Sequence, residues 1–373
     1  MTRALIINSM TVIMLCLLCA ESASAHPAWG IVVDRQNQIY FSDLETIWRI
    51  DAEGKLKVFR PGVSGRHIHE LALDEDGNIY GADYSYEAET QSYIEAIWKM
   101  TPDGGFAYIV APTKSLQRGM SIWRDRYGNT YSVEQNNHLK RETLLLKREP
   151  GGNVTTLAGG SYGHADGKGS QAKFGSIVGM AFAPDGSLCL ADGSSVRRVT
   201  MDGTVETLAD GLDVRSADKN SVEGAAAWGS LMGLAVSAQN EVYVADYRNR
   251  RVLKISSGGA VSTAAQAEPT WSPTGVAVAK NGDLYILEVG AEASSANKPR
   301  VRKLSTDGKL TVVASVGENR NPSANENSSI ADSERNVAPK SNAPYLLLFI
   351  AASIFVLMLV IWRVRRKFSS QPH

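Results

Sequence analysis

Cysteine is nearly missing from this chain. Of the three present, Cys16 and Cys19 lie in an N-terminal stretch that reads as a leader, so the mature protein keeps Cys189 alone. An intramolecular disulfide is thereby excluded, and a lone cysteine in an apolar strand is expected as core filler. Net charge is missing too: 39 basic residues balance 39 acidic ones. That removes any bulk attraction to nucleic acid or to an anionic surface, so no nucleic-acid partner is expected. Histidine is scarce, with six residues. No nucleophile elbow, phosphate-binding loop or paired-cysteine motif occurs. The glycine-rich stretch from Gly159 to Gly169 reads as a linker, since no helix is expected after it.

Long apolar runs are confined to the two ends. Residues 1–25 carry Arg3, a mostly apolar run and Ala23-Ser24-Ala25, the pattern of a secretory signal peptide. Residues 345–362 contain no charge, with Tyr345 and Trp362 at the edges. Arg363, Arg365, Arg366 and Lys367 follow directly. Length, edge aromatics and the basic flank predict one transmembrane helix at 344–362 and a cytoplasmic basic tail at 363–373. The membrane is thus an expected partner, and the rest of the chain is expected outside the cytoplasm, whether periplasmic or extracellular. Residues 318–343 are rich in Asn, Ser, Ala and Pro, and predict a disordered linker. A coil of that length spans roughly 28 Å.

Between the ends, one register repeats six times. Anchors stand at Gly30, Glu70, Ser121, Gly179, Gly233 and Gly275. Seven positions after each comes a turn residue: Asn37, Gly77, Gly128, Gly186, Asn240 and Gly282. Ten positions after come Tyr40, Tyr80, Tyr131, Cys189, Tyr243 and Tyr285. Thirteen positions after come Asp43, Asp83, Glu134, Asp192, Asp246 and Glu288. Each repeat holds four short β-rich runs separated by turn residues. Four-stranded units in such number close radially, so residues 26–317 predict a six-bladed all-β propeller of antiparallel blades. Each third strand also carries a base: Arg49, Lys99, Lys147, Arg198, Lys254 and Lys303. We expect acid and base to pair within or between blades, which makes Asp43, Asp192, Asp246 and Glu288 structural.

The stretch from Gly179 to Asp192 and the stretch from Gly233 to Ile255 resemble NHL repeats. The segment from Leu157 to Phe174 resembles the connector of such arrays. The resemblance covers about residues 29–316. It implies a six-bladed propeller related to the SMP-30/gluconolactonase-like and strictosidine-synthase-like families, which include both enzymes and binding modules. In the lactonases a Glu, an Asn and an Asp hold a divalent cation, and the Asn and Asp precede the glycine of an inner strand. Here those positions hold Trp29, His69, Met120, Val178, Met232 and Thr274, so that metal set does not transfer.

The candidate site lies where the register breaks, since local rules fail most often at functional positions. Glu70 and Ser121 replace the anchor glycine in blades two and three. His67 and His69 alternate just before Glu70, so an extended chain turns both rings to one side. Long connections after second and fourth strands open on one face of blades two to four. They bring Asp83, Tyr84, Arg118, Glu134 and His138 near these histidines. Two functions fit. One is a module that binds a protein or small molecule through this face, with no cofactor. The other is a divalent-metal-dependent hydrolase or lyase, with Ca or Zn held by His67, His69 and one of His138, Asp83 or Glu134.

Overall fold

A computed structural model describes residues 27–114, 118–136, 141–212, 231–290 and 298–317. Its strands form six antiparallel sheets, each built from four consecutive strands in sequence order. Blade one comprises Ile31–Val33, Ile39–Ser42, Ile47–Ile50 and Leu56–Arg60. Blade two comprises Leu71–Leu73, Ile79–Glu87, Ser92–Met100 and Phe106–Thr113. Blade three comprises Trp123–Arg124, Thr130–Asn136, Glu142–Arg148 and Val154–Ser161. Blade four comprises Ile177–Phe182, Leu188–Asp192, Ser195–Val199 and Thr204–Ala209. Blade five comprises Leu231–Val236, Val242–Asp246, Arg251–Ile255 and Val261–Gln266. Blade six comprises Trp271–Val278, Leu284–Gly290, Arg300–Leu304 and Leu310–Ser315. The architecture is a six-bladed β-propeller.

The turn ladder explains the meander. Asn37, Gly77, Gly128, Gly186, Asn240 and Gly282 all take positive φ, between 58° and 89°. Glycine and asparagine enter that region at least cost, and it reverses the chain between the first and second strands. In blades one to three the turn is bound further by an aspartate four positions after the anchor. Asp34, Asp74 and Asp125 each accept backbone N–H bonds from their own turn and the hydroxyl of Tyr40, Tyr80 or Tyr131. The tyrosine ladder therefore locks the turn as well as filling the core.

Both faces of a blade meet neighbours, so second strands such as Ile39–Ser42 and Leu188–Asp192 are buried throughout. Alternation is lost for the reason it is lost in parallel sheets. Six apolar clusters join adjacent blades. Ile47 and Tyr40 of blade one meet Leu71 and Trp98 of blade two. Ala82 and Ile97 meet Ile122, and Tyr131 and Leu145 meet Met180 and Leu190. Val196 and Ala209 meet Leu234 and Val244, and Val252 meets Val276 and Ile286. Phe41 and Ile31 of blade one meet Leu287 and Val301 of blade six, which closes the ring without exchange of a strand.

The acid ladder is structural, but its partners differ from those expected. Asp83 receives a two-pronged bond from Arg60 of the preceding blade, with both distances 2.8 Å, and the Trp98 indole N–H at 2.8 Å. Asp192 pairs with Arg197 at 3.0 Å, and Asp246 with Arg251 at 2.8 Å. Glu288 takes Arg300 at 2.7 Å and Arg302 at 3.1 Å. Asp43 accepts the Trp48 indole at 2.7 Å and two backbone N–H groups. The expected bases instead stand directly across from the tyrosine ladder: Arg49 opposite Tyr40, Lys99 opposite Tyr80, Lys147 opposite Tyr131. Arg198, Lys254 and Lys303 face Cys189, Tyr243 and Tyr285 in the same way. The reason is strand parity. Tyrosine and acid are three positions apart, an odd number, so a base beside one projects from the opposite face to the other.

Two connections also differ from expectation. The stretch from Asp83 to Glu95 is not a loop but a hairpin, in which Asp83 pairs with Ala96 and Glu87 with Ser92. The glycine-rich connector adds a fifth strand, Gly167–Lys168, to the outer edge of blade four, followed by one 3-10 turn. Among the described residues no helix is long and apolar enough to cross a membrane. The expected signal peptide, linker, transmembrane segment and basic tail all lie outside the described residues.

Candidate functional site

The anchor glycines pack the propeller axis shut on one side. A Cβ on Gly275 would stand 2.1 Å from the Trp29 carbonyl oxygen, and one on Gly179 would stand 2.3 Å from that of Met232. A Cβ on Gly233 would meet the Gly275 Cα at 3.0 Å, and one on Gly30 the Leu71 nitrogen at 2.8 Å. Only glycine permits so close an approach of inner strands. Glu70 and Ser121 replace it in blades two and three. A cavity of about 570 Å³ opens there.

Glu70 sits in the cavity wall between two indoles. Trp29 donates its Nε1–H to Glu70 Oε1 at 2.9 Å, and Trp123 donates its own to Oε2 at 3.1 Å. Burial pushes the Glu70 carboxyl well above the usual carboxylate range, and the two indole bonds oppose that rise. His69 stacks on Trp29 at 5.2 Å with its ring tilted by 21°. Its carbonyl accepts the N–H groups of both Trp29 and Gly30, which fixes blade one against blade two at the axis. Tyr84 lies 5.8 Å from His69, ring to ring. Burial raises the Tyr84 phenol, and the nearby charges of Glu70 and Glu95 raise it further. His67 holds Tyr84 through a pair of backbone bonds at 2.7 and 2.9 Å, and its ring meets His69 edge-on at 6.0 Å. Apolar surface completes the cavity, with Met120, Ile177, Val178 and Met180 among its walls.

Of the residues singled out from the sequence, His69, Glu70 and Tyr84 line the cavity, and His67 supports it from behind. The rest are elsewhere. Asp83 turns away into the interface of blades one and two, held by Arg60. Arg118 and Glu134 pair with each other at 2.6 Å as partly exposed residues and do not line the cavity. His138 lies outside the described residues. Among the described residues no three His, Cys, Asp or Glu side chains stand close enough to hold a metal ion. The grouping of His67 and His69 with Asp83 or Glu134 therefore does not form: Asp83 is committed to Arg60 and Glu134 to Arg118. Trp123 and the role of Trp29 were not singled out from the sequence. The available signal was position, since Trp29 directly precedes an anchor and Trp123 stands two residues after one.

No family model matches the chain. Teneurin-3 of Mus musculus is 27% identical over 290 residues, which cover 66% of this chain and 10% of that protein. The chain thus spans about a tenth of the length of that relative. Virginiamycin B lyase from Staphylococcus aureus is similar with a TM-score of 0.43 and 14% identity, covering 77% of this chain and 83% of the lyase. A gluconolactonase of Xanthomonas campestris is similar with a TM-score of 0.46 and 13% identity, covering 71% and 84%. A calcium-binding regucalcin of Agrobacterium tumefaciens is similar with a TM-score of 0.43 and 14% identity, covering 78% and 90%. Likeness at this level concerns the fold alone, and on its own six sheets the chain is a six-bladed β-propeller.

Proposed function

We propose that this chain is an exported, membrane-tethered propeller that binds a small organic ligand in its axial cavity. One observation carries the reading. Inner strands approach closely at the four anchor glycines, and the cavity opens beside the two anchors that lack the glycine, with Gly179 in its wall. The volume suits a drug-sized molecule, and the lining is apolar and aromatic with few polar groups, as in ligand sites generally. The tether reading is supported by the leader pattern, the uncharged run at residues 345–362 and the basic flank. Metal-dependent hydrolysis, the alternative drawn from the sequence, gains no specific observation in its favour.

Thermal-shift screening of the full-length chain in detergent tests the proposal, comparing wild type with Met120→Trp. The indole of the variant would narrow the cavity. Compounds that raise the melting temperature of wild type should raise that of the variant clearly less. Equal shifts in both proteins would place binding elsewhere.

A further inference from the structure

We infer that the ligand of the axial cavity carries a compact organic cation, of the quaternary or tertiary ammonium kind, seated against Glu70. The inference rests on the proposed cavity-binding function and names the chemistry of its ligand. Among the described residues, Glu70 is the one acidic side chain lining the cavity, and no Lys or Arg lines it. Five of the six register acids pair with an arginine: Asp83 with Arg60, Glu134 with Arg118, Asp192 with Arg197, Asp246 with Arg251 and Glu288 with Arg300. Asp43 is held by the Trp48 indole and two backbone N–H groups. Glu70, in an anchor position, has two neutral indole donors, one on each oxygen. They hold the carboxylate in place without cancelling its charge. A partly buried carboxylate with no countercharge among the described residues is costly, and a cationic ligand lowers that cost.

The surroundings select the kind of cation. Trp29, Trp123, His69 and Tyr84 place four aromatic rings around the carboxylate. Aromatic faces attract weakly hydrated cations, and an alkylated ammonium is recognised by such faces without directed hydrogen bonds. A primary ammonium would need up to three acceptors. Here each Glu70 oxygen already accepts one indole bond and keeps one further acceptor site, so a primary ammonium would have to find another acceptor away from the aromatic wall, on Ser121, Ser132 or Ser176.

The test uses the full-length chain and its tryptophan fluorescence. It compares benzyltrimethylammonium, benzylamine and the neutral carbon isostere neopentylbenzene. The quaternary cation should bind at least about tenfold more tightly than the isostere. Glu70→Gln should abolish that preference while leaving the isostere's affinity in place. Equal affinity of cation and isostere in the wild type overturns the cation and leaves the cavity as a binding site. Tighter binding of benzylamine overturns the alkylated-ammonium assignment. Failure of every probe to bind, together with ligands from the thermal-shift screen that are all neutral or anionic, also overturns it. The comparison within the wild type does not depend on the folding of Glu70→Gln.

Discussion

Charge at single residues divides into two roles here. All six register acids are held by other side chains of the protein, while Glu70, which stands in an anchor position, faces a cavity. The clearest structural case is Asp83, whose side chain and that of Arg60 are both almost fully buried. Arg60 also stacks over Trp98 at 4.8 Å. Arg60→Ala strands the carboxylate and should cost about 3–5 kcal/mol, read from urea unfolding. Glu70 makes a different prediction. Its folded-state pKa lies above the ordinary carboxylate value because of burial. The stability this gives is complete below the unfolded pKa, near 4.3, and is lost as pH rises through the folded value. Glu70→Gln has no such term. Its melting temperature relative to wild type should therefore climb with pH and level off once Glu70 is ionised. His69 and Tyr84 face the same cavity and are common to both proteins. A difference that stays flat from acid to neutral pH would contradict the burial of this carboxylate.

Strands and turns were largely legible in the sequence because their rules are local. A turn residue every register forces positive φ, and the runs between turns are the strands. Partner choice was less legible. The bases of the third strands looked like mates for the acids when counted along the chain, but alternation of side chains put them beside tyrosines. Sequence spacing gives separation and says nothing about face until the pairing register is known. The hairpin from Asp83 to Glu95 was hidden for a related reason: its two strands run past the end of the repeat register, although Tyr84 and Tyr86 alternate with Asp83, Ser85 and Glu87 as strand residues do. Inner strands make the sharpest prediction at this scale. Gly275→Ala forces a methyl group against the Trp29 carbonyl and should destabilise by about 1–3 kcal/mol. Gly151→Ala, at an exposed turn with nothing within 4 Å and no positive φ, meets no such contact. If both substitutions cost the same, close packing at the axis is not what selects the anchor glycine.

Across the whole molecule, the sixfold repeat sets the architecture and the departures from it set the site. The sequence marks Glu70 and Ser121 as departures, and the cavity lies beside both. It does not show that Trp29 and Trp123 converge on Glu70, because they come from either side of blade two and meet only when blades one to three pack side by side. Nor does it show that Asp83 turns away from the cavity into the interface of blades one and two, since that depends on Arg60 in the blade before. The chain has seven tryptophans, and their placement offers the most direct test of the cavity as a ligand site. Trp29 and Trp123 line it, whereas Trp48 and Trp98 donate to Asp43 and Asp83 at blade interfaces. The full-length chain labelled with fluorotryptophan, its signals assigned by single Trp→Phe variants, can be titrated with any compound that stabilises it. The account predicts that the Trp29 and Trp123 resonances shift together while those of Trp48 and Trp98 stay in place. Saturable shifts at Trp48 or Trp98 with Trp29 and Trp123 unmoved would contradict it.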